Sequence, residues 1–168
     1  PRAASAVESA LETPGAGLGA WGSYRNARVP FASSAVVVAR IDQLGVPGYV
    51  LYVDAGMEAG LRRALEANGA PAVRGEAVTA ARIEAGYPLF GVDMDEEVIP
   101  LEAGIEGRAL SFTKGCYVGQ EVVIRVLHRG HGRVVKKLVG LLFADGVAAS
   151  PGSRLQAGGR DVGVITSS

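Results

Sequence analysis

One thiol stands among residues whose types and spacing could do chemistry. Cys116 lies in the stretch KGCYVGQE (residues 114–121), two positions after Lys114 and between Gly115 and Gly119. A thiol acts as nucleophile or metal ligand in its thiolate form, which nearby cations and helix N-termini favour. Lys114 and a helix opening after Gly119 would act in that same direction. No second cysteine accompanies it, so neither a dithiol exchange pair nor a four-ligand zinc site fits. The plainer alternative is a small buried hydrophobe, the commonest fate of a free cysteine. Glu84 is a second candidate, because it falls at the end of an expected helix. The macrodipole there disfavours a carboxylate by about 0.3–1 kcal/mol, so the residue is either solvated or partnered by a cation or by N–H donors. Arg82, two residues away, does not share its face.

Two charge clusters complete the set. Residues 125–137 hold Arg125, Arg129, Arg133, Lys136 and Lys137 with His128 and His131, and no acid. That asymmetry suggests an anion site or a solvated linker. Gly130, between the two histidines, argues for a turn rather than a metal pair. Asp93, Asp95, Glu96 and Glu97 lack the glycine and the later glutamate of a calcium loop, which leaves a solvated turn.

Composition bounds what these residues can serve. The 168 residues suit one domain, or one and part of a second. Seventeen basic and seventeen acidic residues cancel, giving no global argument for nucleic acid or an anionic membrane. A lone cysteine fits a reducing, cytoplasmic setting. No apolar run approaches the roughly 20 residues of a membrane span. The chain opens without methionine and closes on an apolar run, which reads as an excerpt of a longer protein.

The elements that must position the candidates follow from periodicity. A short helix is expected over residues 3–12, then a glycine-rich loop as far as Pro30. SAVVVARI and YVLYV read as strands that pair as a hairpin or flank a crossover. Asp54 is the expected N-cap of a helix carrying Met57, Leu61, Ala64 and Leu65 on one face and stopped at Gly69. A second helix follows, with Val78, Ala81 and Ala85 on one face and Gly86 as its stop. Residues 87–104 read as a loop and RALSFTKG as a short strand. GQEVVIRVLHRG is open between strand and helix, since its β-branched run opposes the i,i+4 pair Glu121–Arg125. Beyond Gly132, apolar segments (LVGLLF, SRLQ, RDVGVIT) separated by turns (ADG, AGG) have the rhythm of a small antiparallel β unit. The fold class is therefore α+β, an antiparallel sheet with helices packed on it.

Three stretches carry a family resemblance. KGCYVGQE resembles the signature of the YgfZ family, folate-binding proteins of iron–sulfur cluster assembly and repair. RIEAGYPLFGVDMDEEVIPLEAG resembles the core which that family shares with the glycine-cleavage T-protein, an aminomethyltransferase. RLQAGGRDVGVITSS is similar to the start of their shared C-terminal barrel. The resemblance implies a T-protein-like folate-binding domain over residues 1–131 and the beginning of a C-terminal β-barrel over 132–168.

It also implies tetrahydrofolate, or a derivative, as cofactor, held in a central cavity. Glu84 would grip the pteridine ring, and Lys114, Cys116, Gln120 and Glu121 would form the functional motif. Arg125 would partner Glu121 or the folate glutamate tail. The folate-activating aspartate of T-proteins would lie upstream of Pro1. T-proteins usually lack the cysteine, so the first expectation is a folate-dependent accessory protein for iron–sulfur client enzymes, with Cys116 as a thiol activated by Lys114. The alternative is a tetrahydrofolate-dependent aminomethyltransferase.

Overall fold

The computed structural model describes residues 2–144, 146–147 and 149–168. The chain is α+β and gathers into two compact units, Pro1–Tyr87 and Pro88–Ser168.

In the first unit, α1 (Arg2–Ala10) buries Ala4 and Val7, and Leu11 just beyond it, the spacing of an amphipathic stripe. The carboxylate of Glu8 accepts the backbone N–H of Leu18 at 2.7 Å, which ties α1 to a 3-10 turn at Leu18–Ala20. Three antiparallel strands follow: β1 (Asn26–Phe31), β2 (Ser34–Arg40) and β3 (Tyr49–Tyr52), in the order β1-β2-β3. The two expected strands form the hairpin β2–β3, registered through Val38↔Leu51. β1, in a stretch expected to be loop, is a strand because Pro30 sits at the sheet edge, where a missing N–H is tolerated. Val36 and Val38 of the central strand are fully buried and pack with Val7, Leu11, Leu18, Trp21 and Leu61.

Helix α2 (Glu58–Ala67) carries Leu61 into that core and ends at Gly69, whose φ of 86° favours glycine. Asp54 does not cap it. A 3-10 turn (Ala55–Met57) intervenes, and the Asp54 carboxylate accepts from Ser34 Oγ at 3.1 Å instead. Helix α3 (Gly75–Glu84) stops before Gly86 as expected. Its expected apolar face is not covered: Val78 is 40% exposed and no residue of α3 is buried.

The second unit is built largely from turns. Within the expected loop lies a short helix, α4 (Pro100–Ala103), with proline at its first position and the Glu102 carboxylate accepting the Ile99 N–H at 3.3 Å. RALSFTKG is not a strand. Helix α5 (Glu106–Ala109) takes its start, and the Ser111 hydroxyl accepts the Lys114 N–H at 3.2 Å, a local turn that competes with strand pairing. The ambiguous stretch resolves as helix α6 (Gln120–His128), which buries Val123 and leaves Glu121, Arg125 and His128 exposed on one stripe. The strands β4 (Arg154–Ala157) and β5 (Arg160–Val164) form a hairpin. Its turn, Gly158–Gly159, has φ of 56° and 75°, as a tight two-residue connection requires. LVGLLF is not a strand; Val139, Leu141, Leu142 and Phe143 are exposed. The turn expected at Asp145 lies outside the described residues.

Candidate functional site

The motif KGCYVGQE forms the approach to α6. Gly119 occupies the N-cap position with a φ of 84°, a left-handed conformation that a Cβ would strain. The turn before the helix is closed twice: the Tyr117 N–H donates to Gln120 Oε1 at 3.4 Å, and the Gln120 N–H donates to Tyr117 O at 3.2 Å. Gln120 is thus a bracing residue as well as a candidate ligand. The Lys114 ammonium lies 5.3 Å from the centroid of the Tyr117 ring, a cation–π contact. Tyr117 was not singled out from the sequence, although it lies inside the motif.

Cys116 is exposed, so the buried-hydrophobe alternative is set aside. Glu121 and Arg125 are exposed too, and no ion pair joins them among the described residues. Arg125 is therefore not occupied by Glu121 in this structure. Arg129, Arg133, Lys136 and Lys137 share that exposed, unpaired state among the described residues. No group of three or more His, Cys, Asp or Glu side chains gathers in metal-binding fashion among the described residues.

Glu84, the last residue of α3, is exposed in the first unit. The Arg82 guanidinium donates to the backbone oxygen of Tyr87 at 2.7 Å. The Glu84 carboxylate has no hydrogen-bond partner among the described residues. It stands at the end of α3 where the helix dipole is negative, so incoming N–H donors would be welcome there. Two clefts open in the first unit. The larger, about 220 Å³, lies between β3 and α2 and is lined by Leu51, Val53, Leu61 and Leu65 with Glu58 and Arg62. It falls short of the roughly 300–1,000 Å³ of typical small-molecule sites. Neither cleft is lined by Glu84, so the central cavity implied around that residue is not one of them.

Sequence reasoning also passed over Asp93, assigned to a solvated turn. Its carboxylate accepts from Thr166 Oγ1 and Ser167 Oγ, each at 2.6 Å, and from the Leu89 N–H at 2.9 Å. An aspartate four residues after Leu89 signals such a local turn, but the partners 73 and 74 positions away leave no sequence trace. No helix among the described residues is long and apolar enough to cross a membrane.

No family model matches the chain. It is 36% identical over 151 residues to an aminomethyltransferase of Rubrobacter xylanophilus, covering 89% of this chain and 40% of that protein. An aminomethyltransferase of Shouchella clausii is 34% identical, covering 83% of this chain and 38% of the relative. One of Thermosynechococcus vestitus is 32% identical over 99% of this chain and 44% of the relative. The chain thus spans about two fifths of the length of these relatives. They bear the name of the alternative reading, the aminomethyltransferase, and not of the iron–sulfur accessory reading placed first. Relatives with that name at 32–36% identity support placing the chain in the glycine-cleavage T-protein superfamily.

Proposed function

We propose that the chain is part of a tetrahydrofolate-dependent aminomethyltransferase of the glycine-cleavage T-protein type. The observation that carries this reading is the 151-residue similarity to the Rubrobacter aminomethyltransferase. In this reading residues 1–131 belong to the folate-binding domain and 132–168 begin the C-terminal barrel.

The residues present suit a folate at one point. Glu84 offers an exposed carboxylate with no partner among the described residues, and a carboxylate can accept two parallel N–H bonds from an amino-pyrimidine edge. Glu84 of the first unit would orient the ring; within the second unit, Arg125 offers an exposed cation to an anionic group and Gln120 braces the turn before α6. The bound folate would supply the nitrogen that accepts the one-carbon unit.

Calorimetry of tetrahydrofolate with the full-length protein tests the assignment. Glu84→Ala is expected to weaken binding by roughly 10–100-fold, the worth of hydrogen bonds to a charged group. Unchanged affinity removes Glu84 from the site. Folate-dependent release of ammonia from an aminomethyl donor tests the activity itself.

A second reading keeps the YgfZ-type role, a folate-binding helper for iron–sulfur client proteins in the cytoplasm. One observation favours it: Cys116 is a free, exposed thiol within KGCYVGQE. Cys116→Ala separates the two. Under the first reading the variant retains aminomethyl transfer, whereas under the second it fails to restore cluster-enzyme activity in cells lacking the native protein.

A further inference from the structure

We propose that Asp93 is a clasp by which residues 166–167 set the order of the turn at residues 89–94. Two halves of the second unit meet on this one carboxylate. On one side, Leu89 and Asp93 close a turn: the Leu89 N–H donates to Asp93 Oδ2 at 2.9 Å, and the Asp93 N–H returns to Leu89 O at 2.8 Å. The Gly91 N–H bonds to Met94 O at 2.7 Å, and Phe90 and Met94 form a parallel bridge.

On the other side lies the segment that leaves β5. Ile165 is buried, and its N–H donates to Ser153 O at 2.9 Å while its oxygen accepts the Gly152 N–H at 2.8 Å. Its backbone is thereby fixed to the hairpin. The next two side chains, Thr166 and Ser167, both donate to Asp93 Oδ1 at 2.6 Å. Those are the short lengths of O–H···O⁻ bonds, about twice as strong as neutral ones. All three groups are half-buried, which limits the competition from water.

One acceptor serving both halves makes their order reciprocal. When the hydroxyls leave, Asp93 loses two of the partners that fix its rotamer, and the Leu89 N–H is left with a less firmly held acceptor. The turn at residues 89–94 then opens more often, although none of its own residues has changed. The converse holds for residues 166–167.

Hydrogen–deuterium exchange on the full chain tests this. The double variant Thr166→Val, Ser167→Ala is expected to speed exchange at the Leu89 and Asp93 amides about tenfold, the scale of losing hydrogen bonds to a charged acceptor. Asp93→Ala should speed exchange at residues 164–168 as well as in its own turn. Adding the double variant to Asp93→Ala should then add nothing further in the turn. Should Asp93→Ala not fold, Asp93→Asn with the double variant gives the same comparison. Unchanged exchange at residues 89–94 in the double variant overturns the clasp. So does acceleration spread evenly over the whole chain.

Discussion

Arg40 and Asp42 show how one ion pair can organise a neighbourhood. Arg40 Nε donates to Asp42 Oδ1 at 3.0 Å, its Nη1 donates to Trp21 O at 2.9 Å, and its guanidinium lies 5.9 Å from the Tyr49 ring centroid. Asp42 also accepts from the Gly48 N–H and from Ser23 Oγ. The Arg40 hydrogen bond, assisted by the Gly48 N–H and against the cost of burial, holds the Asp42 carboxyl below the usual carboxylate range. A carboxyl whose folded pKa is depressed contributes stability above its unfolded pKa, about 3.9, and loses it as pH falls through the folded value. Asp42→Asn is therefore expected to unfold at lower denaturant than the parent at pH 7. The gap should close progressively as the pH falls below about 4. Denaturant titrations at pH 3 and pH 7 check the sign.

At the scale of elements, the first unit depends on a three-residue turn as much as on its sheet. Leu18 is 1% exposed, its N–H is held by Glu8, and its carbonyl accepts the Tyr49 hydroxyl at 2.7 Å. Leu18→Ala should cost about 2–5 kcal/mol, the range for large-to-small changes in a packed core, read as a lower urea midpoint at unchanged slope. β2 and β3 were legible from their compact β-branched and aromatic runs, and α2 and α3 from apolar residues at helical spacing closed by a glycine. β1 was not, because a proline demotes a strand unless it is known to lie at an edge, and edges are set by pairing. α6 hid behind its β-branched run until burial of Val123 decided for the helix. Around the candidate site, the place of Glu84 at a helix end was legible because a glycine stop follows it. Contacts were illegible where partners are remote, as with Asp93 and the hydroxyls of Thr166 and Ser167.

On the scale of the whole molecule, the chain carries no net charge and has an isoelectric point near 7.3. Charge repulsion therefore does little to keep copies apart at neutral pH. What separates them is local, and here the two margins of the three-stranded sheet differ. β1 carries Arg28 and Pro30, both devices that blunt an edge. β3, Tyr49–Tyr52, has neither charge nor proline on the opposite margin, and Tyr52 is 57% exposed.

Addition of a further strand is accordingly expected at β3 sooner than at β1. Tyr52→Lys should delay the onset of turbidity in concentrated solution at pH 7 and leave the urea midpoint nearly unchanged. Arg28→Val, which leaves the proline in place, should change the onset much less. Pro30 thus leaves a gap in the row of donors that an incoming strand would need at β1, and β3 has no such gap.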